Sequence, residues 1–425
     1  MKKLIAVSAL LPLLFPVHLV AEQAKNSEIM AGFPPTAETQ VTFANYRDYG
    51  KSKWSFNNIS AVYNTAQIPR GLKSWQFNDT GNKLSKADAK KISQVFAAND
   101  ADSVIIIKDG AILHEQYWNF AAPQKKHIWF SVTKSLVSAS FGVLVEQGKV
   151  KLTDSPAKYL PELKGSGFER VTIQQLLNHS TGIDFKENYT DLSSDFLRYY
   201  APAMNMAYIP GGRDANPNTT DIYGIYDFLA NFIKANKAIT PGDVFEYNSA
   251  NTDVLGWLIS RLSGMPLNDY IYQHIWRKIG ADHDAFIAVD RAYMPVATAG
   301  MNSTLRDAAK FGQMILQDGQ FNGEQVLPKT WLDRITQVSA VQKAKMKANP
   351  KYKNAGWEAY NNMWWILDSD QGEFAGSGIH GQVIYINKSK NTVAVFFSSQ
   401  KIAANPYSKK YANKLNALRE VVSQL

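Results

Sequence analysis

Ser131 and Lys134 stand three residues apart at the head of an apolar stretch, residues 130–148. Positions i and i+3 share a helix face, so a helix here would set the lysine amine beside the serine hydroxyl. A serine hydroxyl is a poor nucleophile until a base takes its proton, and a lysine can be that base only while neutral, a state that burial or a neighbouring positive charge favours. A helix N-terminus assists: its positive end disfavours a second cation, and its free N–H groups can receive an oxyanion. The same pair also has a structural reading, with Ser131 as a helix cap and Lys134 as a solvated cation. The spacing recurs at Ser155 and Ser398, but Ser155 precedes Pro156 in a polar loop and Ser398 ends a β-like run. Only Ser131 opens an apolar helix.

The elements around this pair can be read from period and punctuation. Leu136, Val137, Phe141, Leu144 and Val145 build one buried helix face, Ser131 can serve as the N-cap, and Gly148 is a stop signal. Just upstream, residues 103–107 are rich in β-branched side chains, Lys108-Asp109-Gly110 is a turn, and residues 111–118 form the return strand of a hairpin. A short helix over residues 171–182 is stopped by Gly182. Residues 184–240 form a long polar insertion whose aromatics, Tyr189, Tyr199, Tyr200, Tyr208 and Tyr223, favour a substrate-binding loop over a disordered tether. Helices are expected over 252–263, 267–278, 304–317 and 328–336, strands over 362–368, 381–387 and 392–398, and a closing helix from Ser408. Strands near both ends with helices between predict an α/β (α+β) fold: one antiparallel sheet completed by distant chain segments, a helical lobe inserted at roughly residues 150–290, and the site between them. Residues 22–100 are expected to form an arm packed on a body of residues 101–425.

Residues 1–21 hold Lys2 and Lys3, an apolar run and Ala21, the regions of a secretory signal, and imply export to the periplasm or the medium. An uncleaved N-terminal anchor is the alternative, since the run approaches membrane-spanning length. No later segment is long and apolar enough to span. Loss of the signal lowers the formal charge from +9 to +7, a solubility property that gives no support for a nucleic-acid partner. The densest basic stretch, residues 343–353, includes Asn349-Pro350 and reads as a solvated loop. With no cysteine there is no disulfide, lipid-anchoring thiol or thiolate metal site, so stability must come from core packing. The seven histidines are scattered with no pair four apart, so metal binding is not expected.

Taken in order, Ser131-Val132-Thr133-Lys134, Leu176-Leu177-Asn178-His179-Ser180-Thr181-Gly182, Tyr247-Asn248-Ser249 and a glycine-rich segment before a strand resemble the serine hydrolases of the class C β-lactamase and penicillin-binding-protein superfamily. Met301-Asn302-Ser303-Thr304-Leu305-Arg306-Asp307 is similar to text that family carries between its motifs. Within the superfamily the chain looks most like the 6-aminohexanoate-dimer (nylon oligomer) hydrolases and related carboxylesterases, through Pro34-Pro35-Thr36, Ile68-Pro69-Arg70-Gly71, the stretch from Tyr247 to Trp257, and Gly378-Ile379-His380-Gly381-Gln382. It departs from β-lactamases where their Lys-Thr-Gly becomes Gly376-Ser377-Gly378. Loss of that lysine removes the cation expected to hold a β-lactam carboxylate.

The resemblance implies Ser131 as the acyl-accepting nucleophile, Lys134 as its proton partner and Tyr247 as the phenol that relays a proton, its pKa lowered by the nearby ammonium. It also implies an oxyanion hole from the N–H groups of Ser131 and Ile379, with Gly378 letting the strand approach the substrate. Tyr189 resembles a substrate-loop tyrosine of the nylon-oligomer branch, with core packing as its other reading, and Ser249 joins it as a candidate substrate contact. His380 could be read as the third-motif cation, but β alternation puts it on the face of Gly378, which makes it a structural or substrate-lining residue. Trp364-Trp365 could border the cleft, with core burial the favoured reading. The reaction implied is cofactor-free acyl transfer from a small ester or amide to water. Two other functions stay open: a β-lactamase or D-Ala-D-Ala carboxypeptidase, and a catalytically inactive relative that binds cell-wall or peptide ligands. The oligomeric state is left open.

Overall fold

In the computed structural model, residues 28–206 and 222–425 are described, apart from positions 79, 82, 190 and 192. The expected secretory signal, residues 1–21, and Tyr208 of the insertion lie outside the described residues. No helix among the described residues is long and apolar enough to cross a membrane.

The main sheet is built from both ends of the chain. Strands β1 (Ala101–Lys108) and β2 (Ala111–Tyr117) form the expected hairpin, and Asp109 and Gly110 take positive φ of 52° and 76°, as its two-residue turn requires. From the C-terminal third come β3 (Ala359–Asn361), β4 (Trp364–Asp368), β5 (Glu373–Gly378), β6 (Gln382–Asn387) and β7 (Thr392–Ser398). All pair antiparallel in the order β2-β1-β7-β6-β5-β4-β3, so the early strand β1 lies against the late strand β7, with Val104 opposite Phe396. The glycine-rich segment 376–378 precedes strand β6, as expected, and itself forms the end of strand β5.

The helices that matter for the site are α1 (Lys86–Ala98), α2 (Thr133–Glu146), α3 (Ala250–Ser263), α4 (Leu305–Leu316), α5 (Ala340–Ala348) and α6 (Lys409–Gln424). Ser85 caps α1, its hydroxyl accepting from the Asp88 N–H. Helices α1 and α6 pack together on one face of the sheet, where Phe96 meets Phe396 edge-on at 5.2 Å. On the other face Gly312 brings α4 against Val393 and Ile384, since a Cβ there would come within 2.8 Å of Val393. With helices on both faces, β7 has no solvent side, which is why it reads as a continuous apolar run instead of an alternating one.

Helix α2 is wedged between β5 and α3. Its buried polar side chains tie it to the sheet margin: Ser135 Oγ donates to the Met363 carbonyl at 2.9 Å and Ser138 Oγ to the Asn362 carbonyl at 2.8 Å. Ser131 is not the N-cap the sequence suggested. It lies in a 3-10 turn, Phe130–Val132, that runs straight into α2, and no side chain caps that end. The hydroxyl is thereby left for another partner.

Two further differences have physical reasons. A second antiparallel sheet was not anticipated: Thr65–Ile68 pairs with Ala285–Ala288, which pairs with Met301–Ser303, which pairs with His127–Ile128. Its strands are two to four residues long, too short to carry a period in the sequence. Residues 343–353 are no simple solvated loop either. They begin inside α5, whose start is fixed by a capping box between Ser339 and Gln342, and Lys345 donates to the Gly242 carbonyl.

Gly142 places α2 flush against Trp331, whose indole carbons would lie 2.3 Å from an added Cβ. Gly142→Ala is expected to lower the unfolding free energy by about 1–3 kcal/mol, read from urea denaturation, because an over-packed contact must move a ring. An unchanged midpoint would mean that Trp331 swings aside freely.

Candidate active site

Lys134 sits in the first turn of α2 and points back along it, as helical side chains do. Its Nζ donates to Ser131 Oγ at 2.8 Å and to the Thr298 carbonyl at 3.1 Å. Lys134 is 1 % exposed and Ser131 8 %, and only Ser131 borders the cleft. A bound molecule would meet the hydroxyl, with the amine behind it. Burial lowers the lysine from 10.5 to about 8, against the opposing pull of the Glu187 and Asp253 carboxylates. Asp253, on α3, is itself raised by burial. It accepts from Tyr200 OH and, at 2.9 Å, from the Thr298 N–H, and so fixes the turn whose carbonyl receives Lys134. A neutral amine in this position can take the Ser131 proton while still donating to Thr298.

Tyr247 closes the other side. Lys134 Nζ stands 5.0 Å from its ring centroid, and its hydroxyl interacts with Ser131. The ring is clamped between His179 (4.8 Å, 30°) and Trp365 (5.2 Å, 25°). His179 Nδ1 accepts from the Asn248 N–H at 2.7 Å, which leaves Nε2 with the hydrogen, facing Met363 Sδ at 3.1 Å. Burial, and next the Lys134 charge, hold this imidazole uncharged. The Leu176 to Gly182 motif, given no role in the sequence, thus acts as a backing plate for Tyr247. The expected lowering of the phenol is not found: burial raises it well above 10, Glu187 adds to that, and Ser131 alone opposes. Tyr247 is a proton donor in the resting site.

On the third side β5 passes close to the nucleophile. A Cβ on Gly378 would lie 2.4 Å from the Trp129 carbonyl oxygen and 3.1 Å from the Ser131 nitrogen, and one on Gly376 would lie 2.9 Å from Ser135 Oγ. Glycine at both positions is what lets the strand come this near. Ile379 borders the cleft beside Ser131. Ser249 also lines it, its N–H donating to the Glu187 carboxylate, and Glu187 accepts the Tyr189 hydroxyl as well. Tyr189 is thus brought to the site.

His380 is not. The strand ends at Gly378, and His380 turns with φ of 60°, so β alternation does not govern its direction. Its Nδ1 lies 2.6 Å from the Gln400 carbonyl, its Nε2 3.4 Å from Arg47 Nη2, and its ring packs against Phe56 and Phe130. It stands behind the cleft wall, and burial lowers it to about 3.

The cleft has two arms that share Ser131, Tyr189 and Ile379. One, of about 410 Å³, is walled by Tyr247, Trp365, Trp357, Tyr352 and Lys351; the other, of about 420 Å³, by Phe130, Phe196, Met204, Met206 and Arg47. The tryptophan pair divides as strand alternation requires: Trp364 is buried against Phe311 and Phe374, and Trp365 faces the cleft. Sequence reasoning missed Glu187, Asp253 and Lys351. Asp253 had a signal, an acid in the first turn of a helix that is otherwise buried. Lys351 had none, since it lay in a run of lysines. Among the described residues no three His, Asp or Glu side chains gather to hold a metal ion.

Residues 92–418 match the Beta-lactamase family. A 6-aminohexanoate-dimer hydrolase of Paenarthrobacter ureafaciens is 27% identical over 375 residues, covering 87% of this chain and 91% of that protein. A solved structure from Bacillus anthracis, assigned as a 6-aminohexanoate-dimer hydrolase, superposes with a TM-score of 0.77 at 25% identity, covering 92% of this chain and all of that one. A Salmonella agona protein assigned as a D-alanyl-D-alanine carboxypeptidase is 22% identical over 249 residues, 53% of this chain and about half, 52%, of that protein.

With the amine near pH 8, labelling of Ser131 by a fluorophosphonate should accelerate as pH rises through that value, because only the neutral amine can take the serine proton. A labelling rate flat from about pH 6 to 10 would show that Lys134 does not govern Ser131.

Proposed function

The chain belongs to the β-lactamase family of serine hydrolases, and we propose that it cleaves a small ester or amide in two acyl-transfer steps centred on Ser131. The observation that carries this reading is the buried Lys134 amine at 2.8 Å from Ser131 Oγ, with the Tyr247 hydroxyl also interacting with Ser131.

Neutral Lys134 takes the proton as Ser131 Oγ bonds to the substrate carbonyl carbon. The negative charge that develops on the carbonyl oxygen is received by the N–H groups of Ser131 and Ile379, where the glycines of β5 bring strand and turn together. As the intermediate collapses, the C–O or C–N bond breaks and Tyr247 gives its proton to the departing oxygen or nitrogen, regaining one from Lys134. The Ser131 proton thus leaves, in net terms, on the alcohol or amine. Water then attacks the acyl-enzyme by the reverse relay, its proton returning to Ser131 Oγ and the carboxylic acid departing. Similarity to the Paenarthrobacter hydrolase across most of both chains supports an amide of the 6-aminohexanoate-dimer kind as a substrate alongside small esters. Gly376, which brings no side chain where β-lactamases carry a lysine, disfavours antibiotic turnover. Export, directed by residues 1–21, is part of the same proposal.

The wild-type protein is expected to hydrolyse para-nitrophenyl acetate and butyrate and the 6-aminohexanoate dimer, and nitrocefin weakly or not at all. Ser131→Ala and Tyr247→Phe should each lose about a hundredfold or more in kcat, in line with removal of a nucleophile or a positioned acid. Wild-type turnover equal to that of Ser131→Ala on every substrate would refute the assignment and favour a ligand-binding role for the cleft.

A further inference from the structure

Resting on the acyl-transfer reading above, we propose that Lys351 receives a carboxylate carried by the substrate's leaving group, as a 6-aminohexanoate dimer would present one. The two arms of the cleft are not equivalent. Tyr247, which passes the proton to the departing atom, borders one arm and not the other. The leaving group must lie against that hydroxyl, so the arm with Tyr247 holds it and the other arm holds the acyl chain.

The leaving-group arm is a row of rings that ends in a cation. Tyr247 meets Trp365 at 5.2 Å and Trp365 meets Tyr352 at 5.1 Å. Lys351 Nζ then stands 5.3 Å from the Tyr352 centroid and 5.9 Å from that of Tyr189. The lysine is only part exposed. Its ammonium rests on two aromatic faces, and no carboxylate is paired with it among the described residues. Glu187 and Glu246 act on it only through space, and both Glu187 oxygens are already taken, by Tyr189 OH and by the Ser249 N–H. A partly buried cation without a counter-ion is a site for an incoming anion. The rings between it and Ser131 suit an apolar spacer.

The acyl arm has a different chemistry. Phe130, Phe196, Met204 and Met206 make it apolar, and the one cation on its wall among the described residues, Arg47, is turned toward His380 Nε2 at 3.4 Å. This division assigns a new task to a lysine that the catalytic steps do not use. It also replaces, from a different element, the cation that strand β5 lacks at Gly376.

Three esters test the assignment: para-butanoyloxybenzoate, with the charge on the leaving group; its neutral carboxamide; and the hemiglutarate of para-hydroxybenzamide, with the charge on the acyl group. In Lys351→Met the ratio of kcat/KM for the benzoate to that for the carboxamide should fall about tenfold, mainly through KM, and further in Lys351→Glu, while Lys351→Arg keeps most of it. The hemiglutarate ratio should stay near its wild-type value. An unchanged benzoate ratio, an equal fall for the hemiglutarate, or a parallel fall of all three esters would overturn the proposal, the last by making Lys351 a packing residue. Calorimetric binding of para-hydroxybenzoate and para-hydroxybenzamide gives a readout that needs no turnover: the benzoate should bind more tightly, and Lys351→Met should abolish the difference. Failure of the hydrolase reading itself would appear separately, as equal turnover by wild type and Ser131→Ala.

Discussion

A lysine amine held out of water, yet able to exist without its charge, is the constraint on which the site depends. Removing an ammonium from solvent costs several kcal/mol unless partners compensate. The partners of Lys134 are chosen to compensate only in part: one carbonyl, one hydroxyl, and two carboxylates of which neither is in contact with it. A direct ion pair would hold the proton on the amine and silence Ser131. With no carboxylate near, burial alone would drive the amine to neutrality and leave it a weaker base. Asp253 occupies the middle ground, one residue removed through Thr298, and is itself raised by burial, so that lysine and aspartate titrate as a linked pair.

That arrangement explains why so many elements converge on three side chains. Helix α2 brings serine and lysine in fixed spacing, and buried serines lock it to the margin of the main sheet. Helix α3 supplies Asp253, the segment before it supplies Tyr247, and the turn after Ile173–Leu177 supplies the neutral imidazole on which the phenol rests. A histidine that could charge would repel Lys134. Burial prevents this, so the stacked ring supports Tyr247 without competing for protons.

Where side-chain pattern and local geometry agree, the sequence was sufficient. The apolar face of α2, the Asp109-Gly110 turn and the glycine terminating α3 each express a local rule, and each stands where the chain announced it. The order of short motifs likewise pointed to Ser131, Lys134 and Tyr247. What could not be read depended on folding. Lys351 belongs to a run of lysines whose members differ only in which of them the fold half-buries. His380 was misdirected because the strand ends two residues earlier than its pattern suggests. The raised phenol of Tyr247 reflects desolvation by Trp365, Tyr360 and His179, residues more than a hundred positions away in two cases and invisible to any window. The caps of α1 and α5 are single hydrogen-bond patterns that the sequence reading did not use, and it took residues 343–353 for a solvated loop.

The family match begins at residue 92, whereas Tyr46 and Arg47, which precede it, help wall the arm assigned to the acyl chain. Part of the selectivity is therefore carried outside the stretch that carries the chemistry, beside the walls that Phe130, Phe196, Met204 and Met206 supply from within it. A lineage could exchange the early segment wholesale, by recombination ahead of the shared core, and alter which acyl groups are admitted while every atom of the proton relay stays in place. Divergence of substrate range among such relatives would then be inherited partly in blocks, and kinship measured over the core alone would miss the share that Tyr46 and Arg47 contribute.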